Sequence, residues 1–185
     1  MRALLLTILF FGLNQCAFSQ NLASFSQHGP VKFPSNPSVQ TTGMGRVSQL
    51  VYHPTDSNIL YAVSASGGLF KSSNEGYTWK PLTDFLPQMT CASLLVNPLN
   101  PNTLYLGTGD ANYNSTGRGV YKSTDGGKNW ALFNTGMGNK LVSRMAFQPN
   151  DTSVIIAACS DGMYKSTNSA QTWVKKSTVT TSYRD

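Results

Sequence analysis

A nine-residue phrase that occurs three times constrains the fold of this chain more than any other feature. The copies are KSSNEGYTW at 71–79, KSTDGGKNW at 122–130 and KSTNSAQTW at 165–173. They share the pattern Ser-x-Asp/Asn-x-Gly-x-Thr/Asn-Trp, except that Ala170 replaces the glycine of the third copy. The closing tryptophans are 51 and 43 residues apart. A phrase repeated at this spacing indicates repeated structural units, and residues used three times are more typical of a scaffold than of catalysis.

Apolar runs and turns follow the same order in every repeat. A first apolar run ends at a proline, a polar turn follows, and a second run begins; the prolines are Pro54, Pro98 and Pro149, and the second runs begin at Ile59, Thr103 and Val154. A third run ends in the lysine that opens the phrase, and a fourth begins near the tryptophan. Such runs between Gly, Pro, Asn and Asp are strand and turn signals, and no window beyond the N-terminus keeps a helical period. Repeats of about 40 to 50 residues with four strands are typical of β-propeller blades, so we predict an all-β chain with about three four-stranded antiparallel blades.

The repeated phrase resembles the Asp-box, or BNR repeat, of sialidases, sortilin-type receptors, xyloglucan-degrading hydrolases and photosystem assembly factors. The resemblance implies a β-propeller in which the phrase forms the hairpin between the third and fourth strands of each blade. The GRV…HP…N opening of the first repeat and its ASGGLFKSS centre are most similar to large secreted propeller proteins of Bacteroidetes-type bacteria with a C-terminal sorting domain. The resemblance covers the chain from Gly43 to its C-terminus.

The phrase has a physical explanation that requires no ligand. Asp125, like the asparagine at the same position of the other copies, can accept backbone N–H groups within the turn. Glycine supplies a left-handed turn position, and tryptophan buries a large ring between neighbouring sheets. Ala170 therefore predicts a strained or differently shaped third hairpin. We expect structural roles for Ser72, Asn74, Gly76, Trp79, Ser123, Asp125, Gly127, Trp130, Ser166, Asn168 and Trp173.

The N-terminus has the features of an export signal. Arg2 gives a positive start, an apolar stretch covers 3–13, and small residues precede a cleavage site predicted after Ser19. The apolar stretch is shorter than the roughly 20 residues of a spanning helix. We therefore predict a signal peptide at 1–19 and a secreted, extracellular protein with no membrane span. Lipid attachment at Cys16 is the less favoured alternative.

The rest of the chain divides into a leader and a propeller. Residues 20–42 are rich in Pro, Ser and Asn, which is typical of an extended leader, although part of them could instead supply a strand that closes the ring. Residues 43–185 hold three blades and the start of a fourth, because VTTSYRD at 179–185 is similar to the first strand of the third repeat. Closed propellers have about 4 to 8 blades. We therefore expect an N-terminal fragment of a larger propeller, or a truncated reading frame. The C-terminal blades of the full-length chain, which are missing from this sequence, would be partners of the three blades.

Composition and cysteine count exclude several kinds of site. The net charge is +6, but the basic residues are scattered, and the lysine that opens each phrase indicates a solvated strand face. We therefore expect no nucleic-acid partner.

Once the signal is removed, Cys91 and Cys159 remain, and we favour two small buried apolar side chains over a disulfide between them. The chain contains no CxxC, no HExxH and no Cys/His cluster, so we predict neither a metal site nor a cofactor.

One repeat departs from the pattern by an insertion. The stretch GDANYNSTGRG at 109–119 makes the second repeat seven or eight residues longer than the others between its second and third strands. In an antiparallel blade this loop lies opposite the repeated hairpins, on the face where propellers usually bind ligands. Tyr113 could stack on a sugar ring or a side chain, and Asp110 could alternatively help to hold a cation. The candidate ligand-binding residues are Asp110, Asn112, Tyr113, Asn114 and Arg118, against the alternative of a length-variable surface loop.

Two classes of function remain. We favour a secreted, non-catalytic binding, adhesion or scaffold module whose ligand is a carbohydrate or an extracellular protein, because nothing pairs the acids Asp84, Asp110 and Asp161. The alternative is a fragment of a xyloglucanase-like glycoside hydrolase, which needs two carboxylates, with its catalytic acids largely outside this chain. The resemblance to xyloglucan-degrading hydrolases implies a catalytic Asp before the Gly-Gly pair of the first repeat, where VSASGGLF has Ala65. The resemblance to sialidases implies an Arg-Ile-Pro motif, whereas Arg46 is followed by Val-Ser. We assign no catalytic residue.

Overall fold

The computed structural model describes residues 45–110, 112 and 115–177. The predicted signal peptide, the leader and the predicted start of a fourth blade lie outside these residues. Within them the chain forms twelve β-strands. The described part contains no helix long and apolar enough to cross a membrane.

The strands form three four-stranded antiparallel sheets, each in chain order, which confirms the predicted all-β fold of propeller-type blades. Blade 1 consists of β1 (Val47–Tyr52), β2 (Leu60–Ser64), β3 (Gly68–Ser72) and β4 (Lys80–Pro81). Blade 2 consists of β5 (Cys91–Val96), β6 (Leu104–Thr108), β7 (Val120–Ser123) and β8 (Ala131–Leu132). Blade 3 consists of β9 (Val142–Gln148), β10 (Asp151–Cys159), β11 (Gly162–Ser166) and β12 (Val174–Lys175).

Two hydrophobic cores lie between the blades rather than within one sheet. Core 1 joins blades 1 and 2, and core 2 joins blades 2 and 3. Strand β6 serves both, because Leu104 and Leu106 lie in core 1 whereas Tyr105, between them, lies in core 2. Burying one large apolar side chain contributes about 1.5–3 kcal/mol, so blade 2 is stabilised from both of its faces.

The two cysteines lie in different cores. Cys91 packs in core 1 and Cys159 in core 2, and both are free thiols. Burial raises the pKa of each thiol to about 12. Both side chains therefore act as small buried apolar groups of low reactivity.

The turns of the blades separate onto two faces. On the hairpin face, the turn that follows the third strand bonds to the turn that follows the first: the Gly126 N–H donates to Asn102 O at 2.9 Å. On the loop face, the connection between the second and third strands bonds to the segments that join successive blades. There the Gly109 N–H donates to Thr90 O at 2.9 Å, and the Ser160 N–H donates to Leu141 O at 3.1 Å.

Each repeated phrase folds into a tight turn, here called a Trp hairpin (72–79, 123–130 and 166–173), with a serine at its centre. Ser123 Oγ accepts hydrogen bonds from the N–H groups of Gly127 at 2.9 Å and Asp125 at 3.3 Å. Its hydroxyl donates to Asp125 Oδ1 at 2.8 Å. Ser72 and Ser166 make the same three bonds in the other copies. The hydroxyl thus satisfies two backbone donors that the turn would otherwise leave unpaired.

The tryptophans of blades 2 and 3 link each hairpin to the preceding blade. Trp130 Nε1 donates to Leu82 O at 3.2 Å, and Trp173 Nε1 donates to Phe133 O at 2.9 Å. Trp173 is 3 % exposed, whereas Trp79 and Trp130 are half-buried. The repeated phrase therefore shapes its own turn and also fixes the packing of successive blades.

The third hairpin keeps this geometry with a residue that is not glycine. Gly76 and Gly127 have φ of 89° and 90°, and Ala170 at the same position has φ of 70°. A left-handed conformation costs a non-glycine residue roughly 1–2 kcal/mol. The Ala170 side chain is fully buried in core 2, and this burial offsets part of the cost.

The recurrent lysine departs from the solvated position that the sequence predicts. Lys122 Nζ lies 5.3 Å from the ring centre of Tyr105 and 5.2 Å from that of Phe133, and it donates to Ser169 O at 3.1 Å. Burial lowers the pKa of Lys122. Lys71 lies over the ring of Tyr61 in the same way, at 5.7 Å. A long side chain can cover aromatic surface with its stem and still reach a polar partner, which the local sequence pattern does not reveal.

Candidate functional site

The inserted loop at 109–119 rises from the loop face of blade 2 on a rigid base. Asp110 and Ser115 form an antiparallel bridge, with N–H···O distances of 3.3 and 3.0 Å. Thr108 Oγ1 accepts from the Arg118 N–H at 2.8 Å and donates to Gly119 O at 2.8 Å. A Cβ at Gly117 would lie 2.2 Å from Thr108 O, so only glycine fits where the loop returns.

The base of the loop is also tied to the segments on either side of blade 2. The Gly109 N–H bonds to the segment that enters the blade, and the Gly119 N–H donates to Lys140 O at 2.9 Å in the segment that leaves it. Asn134 Nδ2 donates to Arg118 O at 3.1 Å. These bonds fix where the loop emerges on the loop face.

Asp110, the acid of the loop, is paired with blade 1. Its side chain is 6 % exposed, and Oδ1 accepts from Arg46 Nη2 at 2.7 Å and from the Asn112 N–H at 3.0 Å. With the amide of Asn112 oriented to satisfy both groups, its Oδ1 accepts from Arg46 Nη1 at 2.9 Å and Nη2 at 3.1 Å. The guanidinium just before β1 is thus held by two residues of a loop in the next blade. With that cation at 2.7 Å, Asp110 is poorly placed as a ligand for a metal cation.

The five candidate residues have different positions in the structure. Asp110 and Asn112 come together on Arg46, and Arg118 lies at the base of the loop with its backbone bonded to Thr108. Tyr113 and Asn114 lie outside the described residues. The sequence did not predict Arg46 as a member of this group, because 64 residues separate it from Asp110. An isolated arginine at the start of a blade gives no local signal of such a partner.

The corresponding turn of blade 1 carries no carboxylate. Ala65 is 3 % exposed, and its N–H donates to Arg46 O at 2.9 Å. Ser64 Oγ accepts from the Gly67 N–H at 3.0 Å and closes the turn. The residue at the position where a catalytic acid is implied is therefore a buried methyl group beside the backbone of Arg46.

A second acid on the loop face, Asp161 of blade 3, is enclosed by cations. Its Oδ2 lies 3.2 Å from Lys140 Nζ and 3.2 Å from Lys175 Nζ, and it accepts from the Tyr164 hydroxyl at 3.1 Å. Although burial opposes ionisation, the hydrogen bonds from the two lysines and the tyrosine hold the pKa of Asp161 below its ordinary value. Burial and the neighbouring carboxylate raise the pKa of Tyr164 to about 12. Asp161 is therefore an ionised carboxylate with its charge compensated, not a proton donor.

Among the described residues, two cavities lie beside the Trp hairpins. The first has a volume of about 290 Å³ and is lined by residues that include Lys122, Asp125 and Trp130. Its charged groups already have partners, because Lys122 bonds to Ser169 O and Asp125 closes its own turn. The second, of about 240 Å³, occupies the same position in blade 3. Both cavities are lined by equivalent positions of the repeat, so they are a consequence of the repeated blade structure.

Comparison with known proteins finds relatives among enzymes that act on xyloglucan. No protein-family model matches the chain. A probable oligoxyloglucan-reducing end-specific xyloglucanase of Neosartorya fischeri is 32% identical over 151 residues, which cover 74% of this chain and 18% of that protein. The solved GH74 enzyme of Niastella koreensis is 27% identical with a TM-score of 0.57 and coverage of 75% of this chain and 22% of that chain. An ancestral GH74 enzyme has a TM-score of 0.61 at 21% identity, with coverage of 71% and 18%, and supports the fold.

These relatives bear on the choice between the two classes of function. The chain spans about a fifth of the length of the relatives that it matches. Their similarity fits a β-propeller superfamily, in agreement with the three four-stranded blades. It supports the alternative, a fragment of a glycoside-hydrolase-like protein, better than the non-catalytic binding, adhesion or scaffold module that the sequence favoured.

Proposed function

We propose that this chain supplies three blades of a β-propeller related to xyloglucan-degrading glycoside hydrolases, and that its loop face contacts a β-glucan such as xyloglucan. The observation that carries the proposal is the similarity to a probable xyloglucanase, which is 32% identical over 151 residues and is matched by 74% of this chain. The inserted loop on the loop face supplies a place for the contact.

Within these blades the proposed role is binding rather than bond cleavage. Hydrolysis of a glycosidic bond needs one carboxyl group as acid and a second as base or nucleophile. Ala65 has no carboxylate, Asp110 is paired with Arg46, and Asp161 is paired with two lysines. We therefore place any catalytic acids of the longer enzyme outside this chain.

The ligand site is proposed at the inserted loop. Tyr113 would stack on a sugar ring, while Asn112, Asn114 and Arg118 would bond to hydroxyl groups, since a few polar groups around an apolar surface set ligand orientation. Asp110 fixes the backbone of Asn112, because its Oδ1 accepts from the Asn112 N–H at 3.0 Å.

We also propose identities for the repeated turns and for the N-terminal segments. The serine-centred turns at 72–79, 123–130 and 166–173 are proposed to be Asp-boxes, on the pattern of bonds that Ser123 and Asp125 make. Residues 1–19 are proposed to be a signal peptide that directs the protein out of the cell, and 20–42 a leader that precedes the propeller.

Replacement of Tyr113 tests the binding site. We expect Tyr113→Ala to weaken binding of soluble xyloglucan by about two- to twelvefold, because stacking of an aromatic ring contributes roughly 0.5–1.5 kcal/mol. Affinity electrophoresis or calorimetry on the purified chain measures the change. Tyr77→Ala is the matched control, because Tyr77 is a 63 % exposed tyrosine on the hairpin face.

Two results would overturn the proposal. If the chain binds no xyloglucan, or if both tyrosine variants bind as the unmodified chain does, the loop face is not the site. Release of reducing sugar by the chain itself would show instead that its own acids are catalytic.

A further inference from the structure

We propose that Arg46 is a ligand-contacting residue of the loop face, and that its compensation by Asp110 selects a neutral, hydroxyl-rich glycan over an acidic one. The inference rests on the proposed function, glycan binding at the loop face, and adds to it a residue and the charge of the ligand.

The guanidinium of Arg46 is held in one place before any ligand arrives. Asp110 Oδ1 binds Nη2 at 2.7 Å, and Asn112 Oδ1 binds Nη1 at 2.9 Å. Its backbone is also fixed, because Arg46 O accepts from the Ala65 N–H at 2.9 Å. A long side chain normally loses rotamer freedom when it binds a ligand, and one that is already ordered avoids most of that loss.

The held guanidinium still has donors to offer. An arginine has five N–H donors, and the contacts to Asp110 and Asn112 engage at most three of them. The Arg46 side chain is 43 % exposed on the loop face, whereas the Asp110 side chain is 6 % exposed. A ligand on this face therefore meets donor groups, while the carboxylate stays beneath them.

The charge of the pair determines which ligand these donors suit. One carboxylate is paired with one guanidinium, so the pair has no net charge. A hydroxyl or ring oxygen requires only a donor, and an oriented N–H supplies it. A carboxylate on an acidic glycan gains less from this guanidinium than from an unpaired one, because the charge of Asp110 a few ångströms beneath opposes the attraction.

Removal of the compensating charge tests the inference through a change in specificity. The probes are xyloglucan, which is neutral, and polygalacturonate, which is acidic, with both dissociation constants measured on the purified chain. We expect Asp110→Asn to bind polygalacturonate at least about tenfold more tightly than the unmodified chain, with a gain that disappears at high salt. The same variant should bind xyloglucan more weakly, because Arg46 is less well held.

Replacement of Arg46 separates its contact with the ligand from its effect on folding. Arg46→Gln is expected to weaken xyloglucan binding about fivefold or more, and Arg46→Lys, which keeps the charge but not the fork of donors, less. Thermal melting of each variant shows whether it is folded. If Arg46→Gln does not fold, Arg46→Lys is the variant whose xyloglucan binding is compared with that of the unmodified chain. Asp56→Asn removes one negative charge on the hairpin face of blade 1 and controls for net charge.

The outcomes discriminate between the possible roles. If Asp110→Asn gains no more affinity for polygalacturonate than Asp56→Asn does, or if Arg46→Gln leaves xyloglucan binding unchanged, the inference is wrong. Equal loss of binding to both probes, in step with a lower melting temperature, would assign the pair a structural role only. If the unmodified chain does not bind xyloglucan, the proposed function fails, and the polygalacturonate result still decides whether Arg46 is masked by Asp110.

Discussion

At the scale of the residue, the Trp hairpin shows which property of a side chain the repeat requires. Asp125 accepts from the N–H groups of Lys128 at 3.0 Å and Asn129 at 2.9 Å. Asn74 accepts from the Thr78 N–H at 2.9 Å with a neutral amide in the same place. The turn therefore needs a short side chain with an oxygen acceptor, and a negative charge is optional.

Asp125 gives its hairpin a sensitivity to acid that the other two lack. Hydrogen bonds from the backbone and side chain of Asn129 and from Ser123 lower the pKa of Asp125 to about 2. An unfolded aspartate titrates near pH 4, so the stability that ionised Asp125 contributes is complete above about pH 4 and is lost as pH falls towards about 2. We expect the melting-temperature difference between the native chain and Asp125→Asn to change across this window only.

The converse variant provides the control for this prediction. Asn74→Asp places a carboxylate at the equivalent position of blade 1, where Ser72 Oγ and the Thr78 N–H bond to it. It should acquire the same loss of stability between about pH 4 and pH 2. Melting curves of Asp125→Asn that run parallel to those of the native chain over this range would contradict the assignment.

At the scale of the element, side chains complete the edges of the sheets. Strand β5 is the first strand of its sheet, so one row of its backbone groups has no strand partner within blade 2. The side chain of Gln49 in β1 bonds to both backbone groups of Leu94 in this row. Its Oε1 accepts from the Leu94 N–H at 2.7 Å, and its Nε2 donates to Leu94 O at 3.4 Å. Ser93 makes a shorter link of the same kind, from its Oγ to Val142 O at 3.0 Å in blade 3.

Removal of the Gln49 side chain tests how much this pairing stabilises the contact between blades. Leu94 is 1 % exposed, so Gln49→Ala leaves a buried N–H without its acceptor. We expect a loss of about 1–3 kcal/mol in the free energy of unfolding, measured by urea denaturation. Gln148→Ala in β9 is the control, because that glutamine is exposed, and we expect it to change stability by less than about 0.5 kcal/mol. Equal losses for the two variants would show that the Gln49 bonds contribute nothing specific.

At the scale of the whole molecule, blade 2 couples the other two. It contributes side chains to core 1 through Leu104 and Leu106, and to core 2 through Tyr105 and Val120. In repeat proteins stability is carried by contacts between neighbouring units, so loss of the central unit removes both contacts at once. We therefore expect the three blades to unfold together.

The buried cysteines make this cooperativity measurable. In a chain with Cys16→Ser, we compare Cys91→Ala, which leaves the thiol of core 2, with Cys159→Ala, which leaves the thiol of core 1. Each thiol should react with a thiol reagent only when its core opens, because it is buried. Relative to the midpoint of global unfolding of each variant, both should become reactive at the same urea concentration. Earlier reaction of the core 2 thiol would show that blade 3 unfolds separately.

The sequence predicted the fold well because its signals are local. Strand and turn residues recur with the repeat, so four strands for each blade and the position of the Trp hairpins followed from the order of the residues alone. Details that depend on packing did not follow. Strand β10 begins at Asp151 rather than at the apolar run from Val154, and Lys122 lies against aromatic rings rather than in solvent.

The candidate site was predictable only in part for the same reason. An insertion is visible in a repeat by its length, and antiparallel pairing places it on the loop face. The partner of Asp110 was not visible, because it lies 64 residues away and meets the loop only once blades 1 and 2 have packed.

The sequence by itself determined the repeat, the all-β class and the position of the insertion, because apolar alternation and turn chemistry act between residues close in the chain. Only the tertiary structure decided that Arg46 of blade 1 binds Asp110 of blade 2, and that Trp130 and Trp173 bond to the preceding blade. Those contacts depend on how one sheet is placed on the next, and that placement is set by the buried faces of both sheets together.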